Sequence, residues 1–172
     1  MTSSFRYSIN DHEVYVPGYE IVPRDRQINV RRGGGVCFYL RRSLNFKVCE
    51  ELMIDRLECL TVEISKPQSR PFLVSTWYKP PNSPPDLFND FENLIGKIDG
   101  SNRELYLVGD MNTNLLPDVA DRNSSKVINV CEIFGLSQLI TEPIRVTAQS
   151  QSLIDLCISN TPDKIVRSGV MP

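Results

Sequence analysis

The chain has 172 residues, 41% hydrophobic and 23% charged, a size and apolar share that fit one domain with one core. With 19 Lys and Arg against 21 Asp and Glu the net charge is −2, which excludes a uniformly basic nucleic-acid coat. No apolar run approaches the roughly 18–20 residues of a membrane span, and residues 1–16 lack the apolar stretch of a secretory signal. A soluble intracellular protein, nuclear or cytoplasmic and without membrane contact, is therefore expected.

Residues 19–22 read as a short strand followed by a polar loop. Gly33-Gly34-Gly35 then leads into VCFYL. A glycine triplet cradles phosphate when a helix follows it, but residues 36–40 are strand-like, so a turn or hairpin edge is predicted. Strands are predicted at 57–64 (LECLTVEI), which alternates partly with period two, and at 71–77 (PFLVSTW). The segment KPPNSPP after Tyr78 has too many prolines to join a sheet ladder. Pro85-Asp86 opens a predicted helix with Leu87, Phe91, Leu94, Ile95 and Ile98 at helical spacing and Gly100 just beyond. A short buried strand is expected at 104–108, with GDMNTN at its C-terminal end. Ser124 or Ser125 is placed to cap a second helix, KVINVCEIFG, ending near Gly135, and 152–159 (SLIDLCIS) reads as a last strand. Strands outnumber helices and most connections are too short for repeated crossovers, which favours packed sheets with helices outside.

The five cysteines (Cys37, Cys49, Cys59, Cys131 and Cys157) are odd in number and form no CxxC pair, so free thiols behaving as small hydrophobes are expected. The single histidine, His12, excludes a multi-histidine metal site within this chain.

Three patterns carry possible chemistry. In LYLVGDMN a buried strand ends, Gly109 permits a tight turn, and Asp110 and Asn112 project from a rigid strand end on one face of an extended segment. An aspartate there binds a hard cation or polarises a water, and an asparagine donates to a phosphate oxygen without adding negative charge. The alternative is an Asx-rich turn after a strand. Asp155 lies in the apolar run LIDLCI, where an unpaired carboxylate is costly to bury, so it serves a site or faces water at a strand edge. Tyr78 ends a strand before a rigid proline turn, where its phenol reaches a phosphate or packs in the core.

The ordered set VYVPGYEIVPRDR, RRGGGVCFYL, LECLTVEI, YKPPNSP, LVGDMNTN, TEPIRV and SLIDLCISN resembles the endonuclease/exonuclease/phosphatase superfamily, and most closely the apurinic-like endonuclease domain of non-LTR retrotransposons. The resemblance covers nearly the whole chain. It implies a four-layer α/β sandwich: two mostly antiparallel sheets face to face with helices outside, in one domain spanning 1–172. It also implies a Mg²⁺- or Mn²⁺-dependent phosphodiesterase that nicks DNA, with a reverse transcriptase domain as a partner in the full element. Carried onto this chain, Asp110 activates the attacking water and contacts the metal. Asn112 holds the phosphate, Tyr78 donates to it or to the leaving oxygen, and Asp155 orients the catalytic groups. Thr141, Ser152 and Asn114 are supporting substrate contacts. Arg31 and Arg32 join Arg24, Arg26, Arg41, Arg42 and Lys47 in a basic stretch that reads either as a phosphate-contacting patch or as a solvated loop and strand edge.

The family pattern departs at both ends. Its metal-binding glutamate and first asparagine precede a segment like SINDHEVYVPGY, where this chain holds Met1-Thr2-Ser3-Ser4-Phe5, and Glu13 falls in what should be a loop. Its closing Ser-Asp-His follows a segment like KIVRSGVMP, and His12 stands in the wrong segment for that imidazole. The expectation is a domain incomplete at both ends, lacking at least one strand of each sheet and inactive or weak by itself. A non-catalytic remnant or DNA-binding module, or a phosphatase of the same superfamily, are the competing readings.

Overall fold

Period-two alternation builds the central sheet. In the strand Phe72–Tyr78 every second residue is buried, and in Glu104–Asp110 the buried residues are Leu105 and Leu107. The computed structural model describes residues 15–25, 35–117 and 122–170. In chain order the strands are β1 (Tyr19–Asp25), β2 (Gly35–Arg41), β3 (Asn45–Val48), β4 (Glu58–Ser65), β5 (Phe72–Tyr78), β6 (Glu104–Asp110), β7 (Ser137–Gln138), β8 (Arg145–Val146), β9 (Gln151–Ser152) and β10 (Asp155–Ser159). The helices are α1 (Leu87–Asp99) and α2 (Arg122–Ile133).

Six strands form one sheet in the order β3-β4-β5-β6-β10-β7, and β5 with β6 is its one parallel pair. That pair is joined through α1, as a parallel connection requires. The remaining strands make two antiparallel ribbons, β1-β2 and β8-β9. The predicted mixed α/β sandwich is therefore present as a large central sheet with packed elements on both faces, while of the four layers expected three are seen among the described residues. Among the described residues its layers are the helices, the six-stranded sheet, and the β1-β2 ribbon on the opposite face.

The helix-side core joins Leu73, Trp77, Leu105, Leu107, Leu156 and Ile158 to Phe88, Phe91, Leu94, Ile95 and Ile98 of α1 and to Val127 and Val130 of α2. Trp77 stacks on Phe91 with ring centroids 4.2 Å apart and meets the edge of Phe88 at 6.2 Å. The ribbon side has a smaller core, where Leu40, Val22 and Phe38 cover Val62, Ile64, Phe72 and Val74. Among the described residues the ribbon packs chiefly over β4 and β5, and on the same face of β6 Val108 is 38% exposed.

Several expectations shift. Helix α2 begins at Arg122, so Ser124 and Ser125 lie inside its first turn and not at its cap. The polar start RNSS has no apolar periodicity to announce it. The helix ends as expected: Gly135 adopts a left-handed φ of 60°, and Leu136 N–H reaches back to the Cys131 carbonyl at 2.8 Å. The last predicted strand is split into β9 and β10, because Leu153 and Ile154 turn their backbones onto the chain after β6. The glycine run does lead into a hairpin strand: Gly35, at φ 127°, opens β2 opposite Asp25. Gly33 and Gly34 lie outside the described residues.

All five cysteines are free, with Cys49 and Cys59 buried and Cys37 exposed. Among the described residues no helix is long and apolar enough to cross a membrane.

Candidate active site

Strand register gathers the predicted residues at one rim of the sheet. Asp155 is the Cα partner of Asp110 across the β10-β6 ladder, and Tyr78 is the partner of Glu58 across β4-β5. Thr76 pairs with Val108, and beyond them Lys79 N–H donates to the Asp110 carbonyl at 2.9 Å. Because side chains two apart share a face, Glu58, Tyr78, Asp110 and Asp155 form a row across four adjacent strands on the ribbon side. Three of the four are sequence candidates far apart in the chain.

Asn112 completes the turn after β6. It adopts a left-handed φ of 45°, tolerated best by asparagine among side chains other than glycine. Its backbone N–H donates to Asp110 Oδ1 at 2.8 Å, and its side-chain Nδ2 donates to the Lys79 carbonyl at 2.9 Å. The Asx turn and the candidate site are thus the same object: the turn fixes Asp110 and leaves one amide hydrogen of Asn112 uncommitted. Met111 N–H reaches the Ile154 carbonyl at 3.0 Å, locking this turn to the start of β10.

Gly109 has a different reason from the tight turn its sequence context predicts. Its φ is not left-handed; the residue lies against the Trp77 backbone, where any Cβ would collide. The close approach of β5 and β6 at this point brings Lys79 to Asp110.

The electrostatics of the rim are acidic. Partial burial pushes the Asp155 carboxyl above the usual aspartate range, the facing Asp110 charge pushes the same way, and Arg145 opposes them. Asp155 is an exposed residue, so its carboxyl is only partly screened from water. Lys79 is buried from the other side, its Nζ 5.5 Å from the Phe88 ring centroid.

The supporting candidates are placed less uniformly. Asn114 Oδ1 accepts from Leu153 N–H at 2.9 Å and Leu116 N–H at 3.2 Å, and its Nδ2 donates to the Gln151 carbonyl at 3.4 Å, so its amide braces the backbone. Ser152 sits on β9 opposite Arg145, three residues before Asp155. Thr141 is exposed in the connection between β7 and β8.

The described members of the basic stretch are engaged separately. Arg24 is buried and donates to the Cys59 and Ile54 carbonyls, Arg41 meets the Tyr19 hydroxyl at 3.2 Å, and Lys47 pairs with Glu63 at 3.1 Å. Arg24 is therefore a latch for the ribbon and not a surface contact. Arg26, Arg31, Arg32, His12 and Glu13 lie outside the described residues.

One rim residue, Glu58, escapes sequence reasoning. Glu58, 8% exposed, accepts Gly35 N–H at 3.1 Å and so ties the ribbon to the row beside Tyr78. The signal that singles out Asp155, a carboxylate in an apolar strand, applies equally to Glu58 in LECLTVEI.

The residues present do not by themselves fit a divalent-metal site held by protein alone: among the described residues no three of His, Cys, Asp and Glu cluster closely enough. Asp110 and Asp155 supply two carboxylates. Mg²⁺ is commonly held by one or two carboxylates only when waters and substrate phosphates complete its shell.

No family model matches the sequence, and no curated protein matches it. The fold has clear relatives among solved structures. The endonuclease domain of TRAS1, a telomere-specific non-LTR retrotransposon, superposes with a TM-score of 0.62 at 16% identity, covering 83% of this chain and 65% of that domain. The human Nocturnin catalytic domain, solved with a bound sulfate anion, gives 0.56 at 12% identity over 83% of this chain and 61% of its own. An endonuclease/exonuclease/phosphatase family protein from Bacteroides thetaiotaomicron gives 0.56 at 12% over 84% and 61%. The chain therefore shares the endonuclease/exonuclease/phosphatase α/β sandwich fold and spans just under two thirds of these relatives' lengths.

Proposed function

We propose that the rim formed by Tyr78, Asp110, Asn112 and Asp155 is the central part of a phosphodiester-hydrolysing site, of the DNA-nicking kind found in retrotransposon endonucleases. The observation that supports this reading is the facing pair Asp110 and Asp155, with Asn112 clamped beside them by the Lys79 carbonyl. In this reading Asp110 takes the proton of a water attacking phosphorus in line. The free amide hydrogen of Asn112 donates to a phosphate oxygen, and the Tyr78 phenol donates to the phosphate or to the departing oxygen. Asp155 orients Asp110 and the water. Because the described residues do not complete a metal site, no step is assigned to Mg²⁺ or Mn²⁺, and cation dependence is a matter for the assay.

Residues 1–172 are read as one such domain, with DNA as substrate and a reverse transcriptase domain as the neighbour expected in a full element. The lack of a three-ligand cluster among the described residues favours, as a second reading, a module that binds DNA without cutting it.

Supercoiled-plasmid nicking with and without Mg²⁺, comparing this chain with Asp110→Ala, tests the proposal. Nicking that falls by about 100-fold in the variant is the expected result, with the two Mg²⁺ conditions reading its cation dependence. Nicking that Asp110→Ala leaves unchanged would refute the site. No nicking by either protein, together with retained DNA binding, would establish the second reading.

A further inference from the structure

Strand direction sends the acidic row of Glu58, Tyr78, Asp110 and Asp155 to one end of the central sheet and a different set of side chains to the other. Strand β4 runs eight residues from Glu58 to Ser65, so at about 3.3 Å per residue the two ends stand about 23 Å apart. At the far end the β2–β3 turn, the β4–β5 turn and the start of β6 lie side by side, because Asn45 pairs with Ser65 and Phe72 with Glu104. Residues 41–47, 63–71 and 102–104 bring Arg41, Arg42, Lys47, Lys66, Arg70 and Arg103 here against Glu63 and Glu104. Lys47, at 3.1 Å, and Arg103 share the single carboxylate of Glu63, and Glu104 is taken by Lys164. Arg41 bonds to the Tyr19 hydroxyl and Arg42 to the Tyr19 carbonyl, while Lys66 Nζ stands 5.3 Å from the Phe72 ring centroid. Those contacts position three cations without neutralising them.

We propose that this end of the sheet is a docking surface for the phosphate backbone of duplex DNA; the proposal rests on the reading of DNA as partner and not on the chemistry of the acidic row. Two clefts of about 520 and 290 Å³ flank the β4–β5 turn. Ser43, Asn45, Ser65 and Lys66 line the first, and Arg70, Asn102 and Arg103 line the second. Hydroxyls and amides beside cations donate to phosphate oxygens without adding negative charge. From β3 to β6 there are three inter-strand spacings, about 14 Å. That matches about four phosphates of one DNA strand at about 3.4 Å each along the axis. Four of the six cations are arginines, whose planar fork takes a phosphate in bidentate fashion. The chain as a whole carries a net charge of −2, so positive charge is concentrated at this end against the overall balance. With about 23 Å between the ends, a phosphate beside Asp110 does not reach these cations. The surface therefore holds DNA independently of the acidic row.

The experiment is fluorescence anisotropy of a fluorescein-labelled DNA duplex with the full chain and its variants, each across a salt series. The double variant Lys66→Gln/Arg70→Gln should bind about tenfold more weakly and lower the slope of log affinity against log salt by about two. Lys66→Arg/Arg70→Lys keeps both charges and should restore the slope, which separates charge from folding. Arg122→Gln, a charge loss at the start of α2, should stay within about twofold of the parent. Equal affinity and slope for the double glutamine variant and the parent would overturn the proposal. So would an equal loss in Arg122→Gln, failure of the charge-keeping variant to restore the slope, no binding by the parent, or tighter binding of a labelled poly-glutamate peptide than of the duplex. Because the readout is binding and not cleavage, a chain that fails to nick while the double variant loses affinity refutes the nuclease reading and leaves this one standing. Nicking with no effect of the double variant on binding does the reverse.

Discussion

Substituting Gly109 by alanine tests the close approach that assembles the rim. A Cβ at this position would fall on the Trp77 carbonyl oxygen, 2.8 Å from its carbonyl carbon and 2.9 Å from its nitrogen. Carbon atoms in good contact stand about 3.5–4.0 Å apart, so β5 and β6 must separate by about 1 Å. Overpacking of this kind costs about 1–3 kcal/mol. The Lys79–Asp110 backbone bond, 2.9 Å long and just beyond the collision, contributes about 1 kcal/mol that stretching would forfeit. Alanine recovers about 0.4–1 kcal/mol by restricting the unfolded chain. The net cost is about 1–3.5 kcal/mol, equivalent to a melting temperature lower by about 2–14 °C in a chain of this size. Thermal unfolding followed by fluorescence suits the measurement, since Trp77 is the only tryptophan and lies at the collision. A Gly109→Ala protein that melts within about 1 °C of the parent would refute the argument.

Other consequences follow from particular contacts. The raised carboxyl of Asp155 means the folded state prefers the protonated acid, so its contribution is fully present below the ordinary aspartate range and is lost as pH rises through the raised value. Asp155→Asn should therefore gain stability over the parent at neutral pH and lose that advantage in acid, read from urea unfolding across a pH series; an advantage that grows in acid contradicts the sign. Arg24→Met should cost about 2–4 kcal/mol, because two carbonyls under the ribbon lose a charged donor; it is checked by urea midpoint and by proteolysis of the β1-β2 ribbon. Phe91→Ala removes a fully buried ring stacked on Trp77 and should cost about 3–5 kcal/mol, with a shift in Trp77 emission as the local signature.

Much of the architecture can be read along the chain because local periodicity reports burial directly. The 87–98 pattern in α1 and the alternation of 72–77 in β5 are each the imprint of one buried face, so the element and its core residues appear together. Short pieces such as β7, β8 and the polar start of α2 leave no such imprint and are legible only in three dimensions. The site divides in the same way. Asp110 and Asn112 lie two apart at a strand end, and Asp155 stands out as a carboxylate in an apolar run, so the local pattern singles them out while leaving an Asx-rich turn and a water-facing edge as alternatives. Glu58 carries the same mark, yet its place beside Tyr78 comes from the β4-β5 register.

What the amino-acid order determines by itself is which segments bury a face and which polar groups are too costly to leave unpaired. Tertiary structure decides which of those groups meet. Asp110 faces Asp155 because β10 pairs antiparallel with β6, Tyr78 reaches their row because β5 runs parallel to β6, and Gly109 lets those two strands close. The physical reason is that burial is a local property of side-chain spacing, while strand neighbours are chosen by long-range packing that no window of the sequence contains.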